Sequence, residues 1–473
     1  MCARADRHGG SGGRQNVHRG FVHGGRPGGC RQADGHGRRG VLHRPLEQAH
    51  RAGDRRHRRR GLREGGRAGD RDLVPPVASD RALRAAGARG DGERVRAAEA
   101  SSWRSDPQLV WVGVFGAVFA VGLPVANVLG FVSDYYLNLF GKYLALAILA
   151  LGMDLIWGYT GILSLGQAIF FGIGAYSIGM HMMLESSGKG VYGEPVPDFM
   201  IWNQVYQLPV FWKPYTSAIF ALASSILLPA LLATVIGFLT FRRRLRGTYF
   251  AILTQAIAFA VWLMLNRNEM KLGGTNGLTD FKSVLGFSLS SAETLRALYV
   301  VTATLLVVAL LLARAIVRSK TGLVLEAIRD NERRLEFLGY DTAGFKIFVF
   351  AVSAALAGLS GLLYAPQVGI ITPSQVGVLP SLEIVIWVAF GGRGTLWGAL
   401  VGAISVNWLR SVLTGTYPRL WPIILGGLFM TVILLFPAGL IGLAAQVKKR
   451  LTGRRGAVAR AAVAASGVNH HTA

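Results

Sequence analysis

Charged residues are scarce in this chain of 473 residues. Asp, Glu, Lys and Arg make up only 16% of the sequence, whereas soluble globular proteins carry about 25%. Hydrophobic residues make up 51%, and the mean hydropathy is +0.37. Most of the charge lies at the two ends, which excludes an ordinary soluble fold for the long middle part. The composition predicts an all-α polytopic membrane protein.

Cysteine and the motifs of catalysis are also missing. Cys2 and Cys30 are the only cysteines, so no disulfide framework can exist in the apolar part. The sequence has no G-x-x-x-x-G-K-[ST] loop, H-E-x-x-H motif, paired Cys/His cluster or nucleophile elbow. We therefore expect no enzyme activity, no metal and no cofactor. Any energy source must be a separate subunit.

The first hundred residues lack Lys, Ile, Tyr and Trp but hold 23 Arg and 20 Gly. Such a segment cannot bury enough apolar surface to offset chain entropy, so residues 1–105 are expected to be disordered. The absent residues have A/T-rich codons, which favours a wrongly chosen start codon in GC-rich DNA. An arm that binds RNA or acidic lipid, or a metal through its histidines, is less favoured. We expect no nucleic-acid partner.

Apolar runs long enough to cross about 30 Å of hydrocarbon recur from Gln108 onward. They predict a transmembrane domain over 106–445, followed by a basic tail over 446–473. The eighth and ninth runs are short and meet at the glycine-rich 391–394, so they could form one re-entrant element, and the count is eight to ten. The predicted spans are 108–131, 136–157, 161–184, 216–241, 248–266, 295–317, 346–366, 378–391, 396–413 and 421–443.

Clusters of basic residues predict the orientation. They lie at 242–246, 314–334 and 448–455, after the fourth, sixth and tenth predicted spans. With ten spans all three fall on one side together with both termini. Because Lys and Arg collect on the cytoplasmic side of membrane proteins, that side is expected to be the cytoplasm.

Small and uncharged polar residues are concentrated in the third predicted span. Gly161, Gly166, Ser164, Gln167 and Tyr176 predict a solute pathway through interrupted, glycine-rich backbone. The alternative is that these glycines serve only close helix packing. Uncharged hydrogen-bonding groups suit a neutral or zwitterionic solute better than an ion.

Charged residues at membrane depth are few. Asp154 and Glu383 are candidate pathway residues, because an acidic side chain inside a membrane is functional by default. Both could instead sit at the interface, and we expect His181 and Lys142 to be interfacial. No row of carboxylates or histidines indicates a proton relay.

The loop over 185–215 is rich in aromatic residues. Trp and Tyr gather at the membrane–water interface, so the loop is interpreted as an aromatic belt. The alternative is a platform for an extracytoplasmic partner protein.

The longest predicted cytoplasmic connection, 318–345, contains an amphipathic helix over 322–337. Leu323, Ala327, Asn331 and Leu335 are predicted to line one side of it, with charges opposite, and Gly339 is a natural stop. A short charged helix held between two spans indicates a docking element. A solvated linker is the alternative.

Several motifs resemble the permease subunits of branched-chain amino-acid ABC importers. They are EAIRDNE at 326–332, SAALAG at 353–358, GYTG at 158–161, LSLGQ at 163–167 and GGRGTL at 391–396. The resemblance implies a multi-pass protein of the bacterial plasma membrane that works with a second homologous permease, two cytoplasmic ATPase subunits and an extracytoplasmic solute-binding protein. It also implies that the ATPase contacts lie on the coupling segment, at Glu326, Ala327, Arg329, Asp330, Glu332 and Gly339.

Three further stretches resemble the urea-transporting branch of that family. They are GVYG at 190–193 with PDFM at 197–200, RNEM at 267–270 with GGTNGLTDF at 273–281, and the segment 383–394. The expected cargo is therefore urea or another small amide. A branched-chain amino acid is the alternative cargo, and a passive urea channel is a less favoured reading of the whole protein.

Overall fold

The computed structural model describes residues 107–188, 193–243, 245, 247–417, 419–435 and 439–442. The predicted disordered extension over 1–105 and the basic tail over 446–473 lie outside the described residues, as does most of the GVYG stretch at 190–193.

The described part is built almost entirely from helices. The helices are α1 (Pro107–Gly116), α2 (Leu123–Val128), α3 (Asp134–Met153), α4 (Gln167–Ser186), α5 (Asp198–Trp202), α6 (Ala218–Phe241), α7 (Thr248–Leu265), α8 (Ala292–Arg318), α9 (Lys320–Phe337), α10 (Thr342–Val368), α11 (Val378–Gly391), α12 (Leu396–Thr416) and α13 (Trp421–Leu435). One π-helical turn, Ala117–Gly122, joins α1 to α2, and another, Asp154–Tyr159, extends α3. Four two-residue strands complete the fold: β1 (Leu278–Thr279), β2 (Ser283–Val284), β3 (Phe287–Ser288) and β4 (Ile370–Ile371).

Eight helices in the described residues are long and apolar enough to cross a membrane, which confirms the all-α polytopic prediction. The first and last predicted spans appear as the shorter apolar helix at 112–128 and as α13. The predicted start of the third span at 161 is wrong. The chain leaves helical geometry at Gly161, where φ is +80°, and α4 begins only at Gln167.

Helix α10 lies at the centre of the bundle and packs against α3, α4 and α6. Its glycines permit this closeness: a Cβ on Gly358 would overlap the Ser225 carbonyl, and one on Gly361 would overlap the Phe171 carbonyl. Gly174 on α4 meets Gly358 in the same way. Small residues let helices approach where lipid provides no hydrophobic drive, so Gly174, Gly358 and Gly361 serve close helix packing.

The two ends of the bundle carry different elements. Helix α9 follows α8 directly and defines what we call the α9 end. At the opposite end β1 pairs with β4 in an antiparallel register, Leu278 opposite Ile371, and we call this the strand end. Helices α11 and α12 form an antiparallel hairpin whose connection, 392–395, lies at the α9 end. The glycine-rich break is therefore a turn between two separate helices.

Candidate functional site

Helix α9 is not the continuous amphipathic helix that its spacing predicts. It breaks at Asn331, where φ is −159° and ψ is 88°. Leu325, Ile328 and Leu335 are the buried apolar residues, whereas Leu323 is 67% exposed and Asn331 is also exposed. The predicted stripe is wrong at Leu323 because the face that packs before the break is that of Gly322, Leu325 and Ile328. It is wrong at Asn331 because the helix breaks at that residue.

The predicted helix stop at Gly339 is confirmed. Its φ is +85°, a left-handed conformation that glycine adopts without steric cost. The Gly339 N–H donates to the Glu336 carbonyl at 3.0 Å, and the Tyr340 N–H donates to the Leu335 carbonyl at 3.2 Å. This pair of bonds is the Schellman arrangement that closes helix ends.

The charged residues of α9 divide into two groups. Arg329 and Asp330 are exposed, with 3.4 Å between Arg329 Nε and Asp330 Oδ1. Glu332 turns inward instead: it forms an ion pair with Lys346 and accepts a hydrogen bond from the Thr342 hydroxyl, both on α10. Glu332 thus holds α9 against the bundle, while Glu326 and Ala327 are half-buried.

Arg329 also links α9 to the segment that follows α3. Its Nη1 donates to the Gly158 carbonyl at 2.9 Å, and its side chain lies against Gly161. Gly158 and Gly161 therefore belong to a contact with α9, at the point where the chain leaves α3.

The segment that follows α3 also forms hydrogen bonds with the turn of the α11–α12 hairpin. The Gly394 N–H donates to Asp154 Oδ1 at 2.7 Å, and Arg393 donates to the Trp157 carbonyl from Nη2 at 3.0 Å and from Nε at 3.1 Å. The guanidinium also stacks over the Trp157 ring, 4.8 Å from its centroid. We call residues 154–161, Arg329 and 392–395 the junction.

Electrostatics within the junction favour contact with a carboxylate. Partial burial lowers the pKa of Arg393, the Arg329 guanidinium lowers it further, and the Asp154 carboxylate opposes both. The guanidinium groups of Arg329 and Arg393 thus both lie near the carboxyl group of Asp154. Attraction to Asp154 offsets the repulsion between the two arginines.

The other predicted pathway residues lie in helix contacts. Gln167 donates from Nε2 to the Ser353 hydroxyl at 2.8 Å and to the Ser353 carbonyl at 3.1 Å. Gly166 packs against the Thr254 carbonyl. Ser164 and Tyr176 are buried, and their hydroxyls have no hydrogen-bond partner among the described residues.

Of the predicted pathway residues, Glu383 alone lines a cavity of about 350 Å³ that opens between α3, α11 and α12. Glu383 Oε2 accepts a hydrogen bond from Arg410 Nη1 at 2.6 Å. Lys142, which was expected at the interface, also lines this cavity. It lies about two turns inside α3, which begins at Asp134. The lining residues are Lys142, Leu146, Leu149, Ala168, Phe171, Tyr364, Ser374, Gln375, Leu379, Pro380, Glu383, Ile384, Trp387, Asn407 and Arg410.

Sequence reasoning did not single out Arg410. A signal existed, since an arginine inside the predicted span 396–413 is as unusual as the glutamate at 383. Its pairing with Glu383 follows from the hairpin, which brings positions 27 residues apart into contact.

The aromatic residues of the loop over 185–215 do not all form an interfacial belt, nor do they all form a platform for a partner protein. Trp212 and Tyr215 are buried in the core, and the Tyr215 carbonyl lies 2.8 Å from Nδ1 of the buried His181. Trp202 and Tyr206 are exposed. Part of the aromatic content therefore serves packing.

Comparisons with known proteins agree with this architecture. The family described as "Branched-chain amino acid transport system / permease component" matches residues 135–436. The chain is 27% identical to the high-affinity branched-chain amino acid transport system permease protein LivM of Escherichia coli (strain K12), covering 62% of this chain and 67% of that protein. It is 26% identical to the probable branched-chain amino acid transport permease protein LivM of Methanocaldococcus jannaschii, over 56% and 76%.

A shorter similarity, 32% identity over 28% of this chain and 39% of the relative, links it to the autoinducer 2 import system permease protein LsrC of Yersinia enterocolitica. No solved structure gives a significant match. The family and the apolar helices indicate a multi-pass inner-membrane protein, a transport subunit rather than an enzyme, which works with ATPase and binding-protein partners. This chain belongs to the family of permease components of branched-chain amino acid ABC transport systems.

Proposed function

We propose that this chain is the transmembrane permease subunit of an ATP-driven importer and that its cargo is a branched-chain amino acid. The observation that carries the transport assignment is the contact of Arg329 on α9 with the Gly158 carbonyl. Through it, an exposed charged helix reaches the backbone of the helix bundle. The cargo is supported by the family and by the LivM relatives, whose names specify branched-chain amino acids.

In the proposed assembly the α9 end faces the cytoplasm, as do both termini. Two ATPase subunits dock there, one against the exposed part of α9, with Arg329 and Asp330 as the principal contacts and Glu326 and Ala327 beside them. A second homologous permease completes the pathway, and a solute-binding protein delivers cargo to the strand end.

The junction supplies a route for coupling. Movement of α9 pulls on Gly158 through Arg329. The same segment holds Gly394 through Asp154, so the α11–α12 hairpin follows. Glu383 and Arg410, which line the cavity, both lie on that hairpin. ATP-driven displacement at the α9 end thus reaches a charged cavity nearer the strand end by rigid movement of two helices.

Urea is the second candidate cargo. The three stretches that resemble the urea-transporting branch favour it. One of them, 273–281, includes β1 and packs against α4, where Leu278 and Phe281 lie next to Gly179. A passive channel is less favoured, because it would need no docking helix.

The test is uptake of radiolabelled leucine and urea by cells that express the complete transporter, with and without ATP depletion. ATP-dependent leucine uptake supports the proposal. ATP-dependent urea uptake that excess leucine does not inhibit would replace the cargo and keep the mechanism. Urea entry that survives ATP depletion would overturn the importer assignment.

A further inference from the structure

We propose that the cavity between α3, α11 and α12 is an internal solute site that recognises a carboxylate, and therefore accepts an amino acid in preference to a neutral amide. This inference rests on the proposed function, since it names the chemistry by which the importer handles its cargo. The residues that carry it are Lys142, Glu383 and Arg410.

The charges that line the cavity do not balance. Two cationic side chains, Lys142 and Arg410, face one carboxylate, Glu383. The Glu383–Arg410 pair is closed by a 2.6 Å hydrogen bond. The ammonium of Lys142 lies over the Tyr364 ring, 6.0 Å from its centroid. The wall therefore has one more cationic than anionic side chain. An anionic group of a solute would compensate the additional positive charge.

The remaining wall suits the rest of an amino acid. Leu146, Leu149, Phe171 and Ile384 give an apolar surface next to the charged groups. Glu383, which is paired with Arg410, is the carboxylate of the cavity wall and would face the ammonium group of the solute. A cavity of about 350 Å³ lies within the range of small-molecule sites, roughly 300–1,000 Å³.

Urea fits this arrangement less well. It carries no charge to set against Lys142, and it has no apolar part to cover the leucine, phenylalanine and isoleucine side chains. Because Lys142 is half-buried, a carboxylate that approaches its ammonium group gains coulombic attraction, and a neutral amide does not.

The test uses charge-selective cysteine labelling, which does not depend on transport. The part of the chain beyond residue 30 has no cysteine, so Cys2 and Cys30 are replaced by serine. Ser374, an exposed residue of the cavity lining, is then changed to cysteine in the complete purified transporter. The rates of reaction with an anionic and a cationic methanethiosulfonate reagent are measured.

We expect the anionic reagent to react faster with S374C. Lys142→Met should slow the anionic reagent and speed the cationic one by about fivefold each, the effect of about 1 kcal/mol from one unit charge at 4 Å in water. The anionic-to-cationic rate ratio should therefore fall by about 25-fold. Glu383→Gln should raise the ratio. Lys213→Met, which removes an exposed lysine of the short helix Val210–Thr216 outside the cavity lining, is the matched control and should leave the ratio unchanged.

Protection by solutes completes the experiment. Leucine should slow labelling of S374C, leucinol and urea should not, and Lys142→Met should abolish the protection by leucine. A rate ratio that Lys142→Met leaves unchanged, or equal protection by urea and leucine, would overturn the inference.

The two proposals fail separately. If leucine is imported but Lys142→Met changes neither the rate ratio nor protection, the carboxylate site alone is refuted. If urea is imported instead of leucine while leucine, and not urea, still protects S374C in a way that depends on Lys142, the cargo proposal is refuted and the carboxylate preference of the cavity stands.

Discussion

The ion pair between Glu332 and Lys346 gives the sharpest test of how α9 is held. Only 7% of the Lys346 side chain and 19% of the Glu332 side chain are exposed. Lys346→Met removes the ammonium that is paired with the Glu332 carboxylate, while the hydrogen bond from the Thr342 hydroxyl to Glu332 remains. Removing one partner of a buried pair costs about 3–5 kcal/mol. Since Glu332 keeps some access to water, we expect about 3 kcal/mol.

The assay is a double-mutant cycle on the free energy of unfolding of the detergent-solubilised chain. Glu332→Gln and Lys346→Met are made singly and together. The double variant should be more stable than the sum of the single losses predicts, because it leaves neither charge uncompensated. Asp330→Asn is the matched control: its carboxylate is 73% exposed, so its stability should change by less than about 0.5 kcal/mol.

Two results would refute this reasoning. Additive losses in the cycle would show that the pair carries no interaction energy. Equal destabilisation by Glu332→Gln and Asp330→Asn would show that Glu332 faces outward, as its place among the predicted ATPase contacts suggested.

Three further predictions concern the junction and the packing. Asp154→Ala removes the acceptor of the Gly394 N–H; since a buried donor left without its partner costs about 1–3 kcal/mol, the hairpin is held less firmly, and leucine uptake should fall by about tenfold while ATP hydrolysis persists. Gly174→Ala drives a Cβ into the Gly358 carbonyl and should lower the yield of folded protein in the membrane, whereas Gly113→Ala, with open space around it, should not. Joint replacement of Glu326 and Arg329 by glutamine should abolish uptake and leave membrane insertion intact.

Each of these can fail in a distinct way. Equal loss of uptake and ATP hydrolysis in Asp154→Ala would make that residue a folding element and not a link in coupling. Normal yield of Gly174→Ala would show that α4 and α10 can separate without cost. Full uptake by the Glu326 and Arg329 double variant would remove α9 from the ATPase interface.

The amino-acid sequence was sufficient to predict the fold class and most of the spans. Hydropathy sums over about 20 neighbouring residues, so it identifies a crossing helix without any knowledge of what the helix touches. Local backbone rules were equally sufficient at Gly339, where a glycine after a charged helix predicts the stop that is observed. The EAIRDNE segment at 326–332 indicated a docking helix in the same local manner.

Which side chains act together depends on the packing of the bundle. Asp154 meets Gly394 across 240 positions, and Arg329 meets Gly158 across 171. Spacing cannot encode such contacts, because they depend on which helices pack and at what depth. Lys142 becomes a cavity residue, and Glu332 an internal anchor, only once α3, α10 and the α11–α12 hairpin are placed. Periodicity assigns a residue to a face of its own helix, whereas the partner on the other side of that face is fixed by the packing of the whole bundle.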